Sequence, residues 1–207
     1  MFTIILHIAT LLAVLIVFRK RIWQLVRHPF NKTNYCLLTA TILTCTFVIL
    51  FKDFIDKTFT VKILPLAFIV TAIVLCIATM VRSKENDVTY KSAVTVGIMQ
   101  GIAVIPGLSR SGMTISTLLI AGTKRETAAE FSFLMSVPII LASLVYELVS
   151  AKEKLALEIL PTSIAFVTAL ASGILAIKFM LHVIRRVKLH WFSLYLCVLA
   201  FICLYVL

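Results

Sequence analysis

The chain is poor in charge and poorer still in acid. Charged residues make up 14% of its 207 positions, with 9 Asp and Glu set against 20 Lys and Arg. A soluble domain needs more than that to wet its surface, and 61% hydrophobic residues with a mean hydropathy of +1.09 exclude that class. Paired cysteines are missing as well. Cys36, Cys45, Cys76, Cys197 and Cys203 all lie in apolar runs, with no Cys-x-x-Cys and no ligand-like spacing to the 4 histidines. They read as small packing residues rather than as a disulfide framework or a metal cluster. No basic segment precedes the first apolar run; Arg19-Lys20-Arg21 follows it instead. That order excludes a cleaved signal peptide and reads as a chain entering in mid-architecture. Low-complexity stretches and long linkers are absent too. A net charge of +11 would by itself suit nucleic acid. Here the basic residues stand in short loops beside apolar spans, so membrane orientation and anionic headgroups account for them, and no nucleic-acid partner is expected.

What the chain has is apolar length. Strong runs occupy Phe2–Phe18, Tyr35–Phe51, Ile63–Val81, Phe131–Val149, Ile159–Leu181 and Trp191–Leu207. Each is about 17–23 residues, enough to cross a hydrocarbon core about 30 Å thick. Between the third and fourth lie two shorter runs, Ser92–Ile105 and Gly112–Gly122, parted by Pro106-Gly107-Leu108-Ser109-Arg110-Ser111. At about 14 and 11 residues, neither half spans alone. The pattern predicts an all-α polytopic membrane protein, one domain over 1–207, with about six full transmembrane helices and a re-entrant helical hairpin at about 92–122.

Charge placement supports the hairpin. The loops Arg19–Lys32 and Lys178–His190 are basic and contain no acid. The positive-inside rule sets both in the cytoplasm, with the near-neutral loops Lys52–Lys62 and Ser150–Glu158 outside. Only an even number of crossings between Ser92 and Gly122 allows this. Trp23 and Trp191 flank span ends as interfacial anchors, and Pro65, Pro138 and Pro161 stand within spans as expected kinks.

One constellation carries chemistry: Gln100-Gly101, then Pro106-Gly107-Leu108-Ser109-Arg110-Ser111-Gly112-Met113-Thr114. Pro106-Gly107 ends the first half-helix, and Ser109 or Ser111 caps the second, leaving free N–H groups around Gly112–Thr114 directed into the turn. A helix N-terminus attracts anions through those donors and its dipole. Arg110 adds a planar fork suited to phosphate oxygens, and the hydroxyls of Ser109, Ser111 and Thr114 add donors. The bland alternative is a polar loop whose arginine snorkels to water. A charge set between two half-spans costs at least about 2.5 kcal/mol and marks function, which favours a diphosphate cradle.

The segment Pro106-Gly107-x-Ser109-Arg110-Ser111-Gly112-x-Thr114 resembles the second signature of the undecaprenyl-diphosphate phosphatase (bacitracin-resistance) family. The preceding Gln100-Gly101, the later Glu130-Phe131-Ser132-Phe133-Leu134 with Pro138, and the opening Leu6-His7-Ile8-Ala9-Thr10-Leu11-Leu12-Ala13-Val14 before Arg19-Lys20-Arg21 are similar to that family's pattern. The resemblance runs from about residue 2 to about residue 195. It implies hydrolysis of undecaprenyl diphosphate to undecaprenyl phosphate and phosphate, in the bacterial inner membrane, for cell-wall carrier recycling and bacitracin resistance. It further implies an inverted-repeat topology and a divalent cation, Mg or Ca, whose ligands are not identifiable here. It assigns the phosphate clamp to Arg110, supporting donors to Ser109, Ser111 and Thr114, and substrate contacts to Gly107, Gly112 and Gln100. The partners implied are a prenyl diphosphate lipid and the membrane lipids, with a homodimer left open.

The sequence departs from that pattern in two places. The family's first signature, Glu-x-x-x-Glu followed by Pro-x-Ser-Ser-x-Gly-His, would lie upstream of Phe2, and Leu196 follows Tyr195 where the family has Arg. The resulting expectation is half a site, which keeps two alternatives in play: a lipid-phosphate flippase, and a truncated relative that only binds. Among other groups, Glu130 begins the expected span Phe131–Val149 as an acid, metal ligand or helix-start carboxylate, and Glu126 falls in a solvated loop. His7 reads as a packed core residue, and His28, His182 and His190 as surface groups.

Overall fold

A segment inside lipid must satisfy its own backbone, and this chain does so with helices. The structure, a computed structural model, describes residues 2–81, 86–150, 159–186 and 190–206. In chain order the helices are α1 (Phe2–Val17), α2 (Arg19–Arg27), α3 (Lys32–Leu50), α4 (Lys52–Lys57), α5 (Leu64–Met80), α6 (Tyr90–Ile102), α7 (Arg110–Ile120), α8 (Arg125–Leu134), α9 (Ser136–Ser150), α10 (Ile159–Arg186) and α11 (His190–Val206). A 3-10 turn, Val61–Ile63, precedes α5. Among the described residues the extended backbone amounts to one isolated bridge, Asn86 with Thr123. The all-α membrane fold is therefore as expected. Four segments, Lys32–Leu50, Val61–Met80, Arg125–Val149 and Leu160–Ile184, are long and apolar enough to cross, and a fifth is added if the bent pair α1 and α2 counts as one. Of the six expected spans, α11, with 17 described residues, and α1, with 16, fall just below that length.

Several boundaries moved for local reasons. The basic stretch Arg19–Lys32 is not a plain loop, since α2 fills most of it. The loop expected over Lys178–His190 is helical as far as Arg186, with no Gly or Pro after Lys178 to stop α10, and residues 187–189 lie outside the described residues. Most of Ser150–Glu158 lies outside the described residues. The prolines sit at helix starts rather than at mid-span kinks. Pro65 and Pro161 occupy the first turns of α5 and α10, where a missing N–H leaves nothing unpaired. Pro138 cannot donate to the Leu134 carbonyl, and the helix breaks there, with Met135 between α8 and α9.

The chain divides into two compact units, Met1–Pro29 with Phe133–Val183 and Phe30–Ser132 with Ile184–Leu207. In the first, α1 packs on α9 through Ile4, Leu11, Ile140 and Leu144. Gly173 of α10 faces Ala13, and Phe18 stacks on Phe133 with ring centroids 5.8 Å apart.

In the second unit α3 packs on α6, α11 on α5, and α7 on both α5 and α6. Small and hydroxylated residues face inward, among them Ala40, Thr44, Ala67, Thr71, Ala93 and Gly97, while Ile42, Leu66, Ile73 and Phe201 face outward. That inversion of the soluble pattern follows from a lipid solvent, in which close backbone approach and hydrogen bonds, not apolar burial, hold helices together. The α3–α6 seam is the tightest case. A methyl on Gly97 would lie 2.7 Å from the Ala40 carbonyl oxygen, and one on Gly101 2.7 Å from the Phe47 ring. The seam also carries a hydrogen bond, Thr44 Oγ1 donating to the Gly97 carbonyl at 2.8 Å.

Candidate phosphate-binding site

The site is the turn between α6 and α7. Thr89 and Ser92 form a reciprocal cap that starts α6, and the Lys124 N–H donates to the Asn86 carbonyl at 3.0 Å. The hairpin thus closes at its open end, returning α7 to where α6 began. At the tip, the Leu108 N–H donates to the Ile105 carbonyl at 3.2 Å around Pro106-Gly107, with Gly107 at φ +89°. Pro then Gly at the two central positions is what a type II turn requires. The tip rests on α5. A Cβ on Gly107 would come within 2.9 Å of Ala67 Cβ, and the Ser109 N–H donates to Thr71 Oγ1 at 3.2 Å.

Ser109 caps α7, its Oγ accepting from the Gly112 N–H at 3.2 Å. The Met113 N–H donates to the Ser109 carbonyl at 2.8 Å. These bonds correct the expectation of open N–H groups around Gly112–Thr114. The helix begins at Arg110, two residues earlier than the apolar run suggests, so the uncommitted first-turn donors are those of Arg110 and Ser111. Gly112 is needed for the cap itself, since a Cβ there would meet Ser109 Oγ at 2.9 Å.

Arg110 is held from one side. Its Nε donates to Gln100 Oε1 across a long 3.5 Å, and Gln100 Nε2 donates to Thr44 Oγ1 at 3.3 Å. Gln100 is 2% exposed, so α6 sets its position and with it the tilt of the guanidinium. Nη2 of Arg110 is buried and makes no hydrogen bond to the described residues, nor does any described carboxylate pair with it. A buried guanidinium nitrogen without an acceptor is costly, and a bound oxyanion removes that cost.

Thr114 is fully buried, and its hydroxyl faces Arg110 O at 2.9 Å and Ser132 Oγ of α8 at 2.6 Å. It positions the arginine's own backbone. Ser111 is half-buried in the first turn. The sequence reading missed Thr44, Thr71 and Ser132 as supports. For Thr44 and Thr71 the one signal is a hydroxyl within an apolar helix, and for Ser132 its place in Glu130-Phe131-Ser132; neither names a partner.

Glu130 and Glu126 also moved. Both belong to α8, Glu126 in its first turn beside the positive end of the helix, and Glu130 half-buried in the second turn. His7 is not a plain core residue. Its Nδ1 lies 3.3 Å from each Glu147 carboxylate oxygen, joining α1 to α9. His28, His182 and His190 are exposed, and the cysteines are free thiols within the helices, as expected. No three of the described His, Cys, Asp and Glu side chains converge to hold a metal ion. The described residues therefore do not by themselves fit the divalent cation that the resemblance implies, and no step is derived through one.

Three relatives show the breadth of the likeness. The chain is 38% identical to undecaprenyl-diphosphatase of Carboxydothermus hydrogenoformans over 96% of its own length and 79% of the relative's. With the enzyme of the same name from Treponema denticola it shares 38% identity over 95% of the chain and 79% of the relative. With that of Christiangramia forsetii it shares 34% over 94% and 78%. The family model described as bacitracin resistance protein BacA matches residues 1–202. On that match and these identities, the chain belongs to the bacitracin resistance protein BacA family.

Proposed function

We infer that this chain is an undecaprenyl-diphosphatase, a membrane hydrolase that converts undecaprenyl diphosphate to undecaprenyl phosphate and inorganic phosphate. The observation that carries the reading is the buried, acceptor-less Nη2 of Arg110 at the open end of α7. Hydrolysis forms a bond from water oxygen to the terminal phosphorus and breaks the bond to the bridging oxygen, on which charge develops. Arg110 and the N–H groups of Arg110 and Ser111 face the diphosphate in this proposal, with the Ser111 hydroxyl as a further donor. Gln100 orients the guanidinium, Ser109 and Gly112 form the cap, Gly107 turns the chain, and Thr114 with Ser132 braces the first turn. Preorganised donors of this kind stabilise the transition state without reorganising. A divalent cation remains part of the proposal only as a group the family implies, supplying charge neutralisation when bound.

Phosphate release from undecaprenyl diphosphate in proteoliposomes is the test. The chain should turn the lipid over, and Arg110→Ala should lower the rate by about 10²–10³-fold. An Arg110→Ala rate equal to wild type removes Arg110 from the reaction. Absence of release despite tight lipid binding rejects the hydrolase in favour of a binder or flippase.

The proposal places the chain in a bacterial inner membrane, with α2 and the end of α10 on the cytoplasmic side and α4 outside. Asp56 is exposed on α4. In a background without native cysteine, Asp56→Cys should react with an impermeant maleimide added to intact cells. Labelling that requires membrane rupture reverses the orientation.

A further inference from the structure

The amphipathic helix α2 takes no part in the chemistry above, yet it is built with three distinct faces. It leaves α1 at a bend of 79°. It cannot extend the span, because its 9 residues include Arg19, Lys20, Arg21 and Arg27. The expected topology has Phe2–Phe18 crossing the membrane, and the bend of 79° then lays α2 close to the interfacial plane. One face turns to the protein, where Leu25 is buried. A second carries Trp23 and Val26, 58% and 65% exposed, with the exposed Arg19 between them on the helix surface. A third carries Lys20, Gln24 and Arg27, all exposed. The Arg27 guanidinium sits 5.0 Å from the centre of the Trp23 ring, which fixes a cation at the depth where interfacial indoles lie.

Arg19, Lys20 and Arg27 make no ion pair with a described carboxylate, and no Asp or Glu precedes Asp53 in the sequence. An apolar face for the acyl region beside a cationic face one side chain away is complementary to an anionic phospholipid. We propose that α2 is a headgroup site for anionic phospholipid, with Arg19, Lys20 and Arg27 on the phosphate and Trp23 at the glycerol level. The site lies on a different element from the hairpin and does not depend on the hydrolase reading.

The 2 tryptophans make a direct test available. In Trp191→Phe, Trp23 is the single tryptophan and is excited beyond the tyrosine absorption band. The full chain is reconstituted into vesicles containing brominated phosphatidylglycerol or brominated phosphatidylcholine at equal mole fraction. Brominated phosphatidylglycerol should quench Trp23 at least about threefold more strongly. Arg19→Gln/Lys20→Gln/Arg27→Gln should abolish the preference while leaving quenching by brominated phosphatidylcholine unchanged. That second signal confirms that the helix still lies in the interface. Equal quenching by both lipids in the parent protein overturns the proposal. So does a preference that survives the triple substitution, since it would then belong to other side chains.

Discussion

Arg110→Lys is expected to bind a prenyl diphosphate nearly as poorly as Arg110→Ala. The reason lies in how the guanidinium is divided. Nε is turned to Gln100 Oε1 at 3.5 Å, while Nη2 is buried without an acceptor. A lysine has one nitrogen and no plane, so it cannot lean on Gln100 and present a directed donor as well. Loss of a charge-assisted contact at a desolvated phosphate should cost about 2–5 kcal/mol. That is about a 30- to 5,000-fold rise in Kd. Thr114→Ala, which removes one neutral brace between Arg110 O and Ser132, should cost only about 0.5–1.5 kcal/mol. Titration of detergent-solubilised protein with prenyl diphosphate reads both without requiring turnover. Wild-type affinity in Arg110→Lys would mean a snorkelling cation, for which lysine serves equally, and the clamp would be abandoned.

Gly107→Val is expected to be the most damaging single change at the hairpin tip. The residue sits at φ +89°, and its missing Cβ faces Ala67 Cβ at 2.9 Å and Leu64 Cδ2 at 3.0 Å. A β-branched side chain meets both the conformational strain and the collision, together about 2–5 kcal/mol. Thermal unfolding of the solubilised protein should show the loss, and prenyl diphosphate binding should fall with it. Gly107→Asn separates the two causes, because asparagine tolerates the left-handed region while still carrying a Cβ. A Val variant with wild-type melting temperature and affinity would show that α5 yields, and that the turn is not held as described.

Much of this hairpin is legible in the residues themselves. Two half-length apolar runs, a Pro-Gly pair and a serine before an arginine specify turn and cap by local chemistry alone. What is not legible is support from elsewhere in the chain. Thr44 and Thr71 are hydroxyls in apolar helices that bond their own helix, to the Ala40 and Ala67 carbonyls, as Thr39 and Thr41 do theirs. Ser132 is one polar residue among several in α8. Only the packing of α3, α5 and α8 turns these three toward Gln100, Ser109 and Thr114. The pairing of His7 with Glu147 is hidden for the same reason, being 140 residues apart. Helix ends depart from the hydropathy profile in two places. Arg19–Arg27 is helical though too charged to be buried, and Phe131–Val149 is interrupted at Met135 although its hydropathy is continuous.

The glycines of the α3–α6 seam bear on the site from a distance. Gly97 and Gly101 bracket Gln100, and what stands opposite Gly97 is main chain, with no rotamer free to yield. Any thickening of that seam must displace α6 as a rigid rod, and Gln100 travels with it. The aim of the arginine is therefore a matter of mechanical clearance, gauged between two backbones rather than by its own side chain.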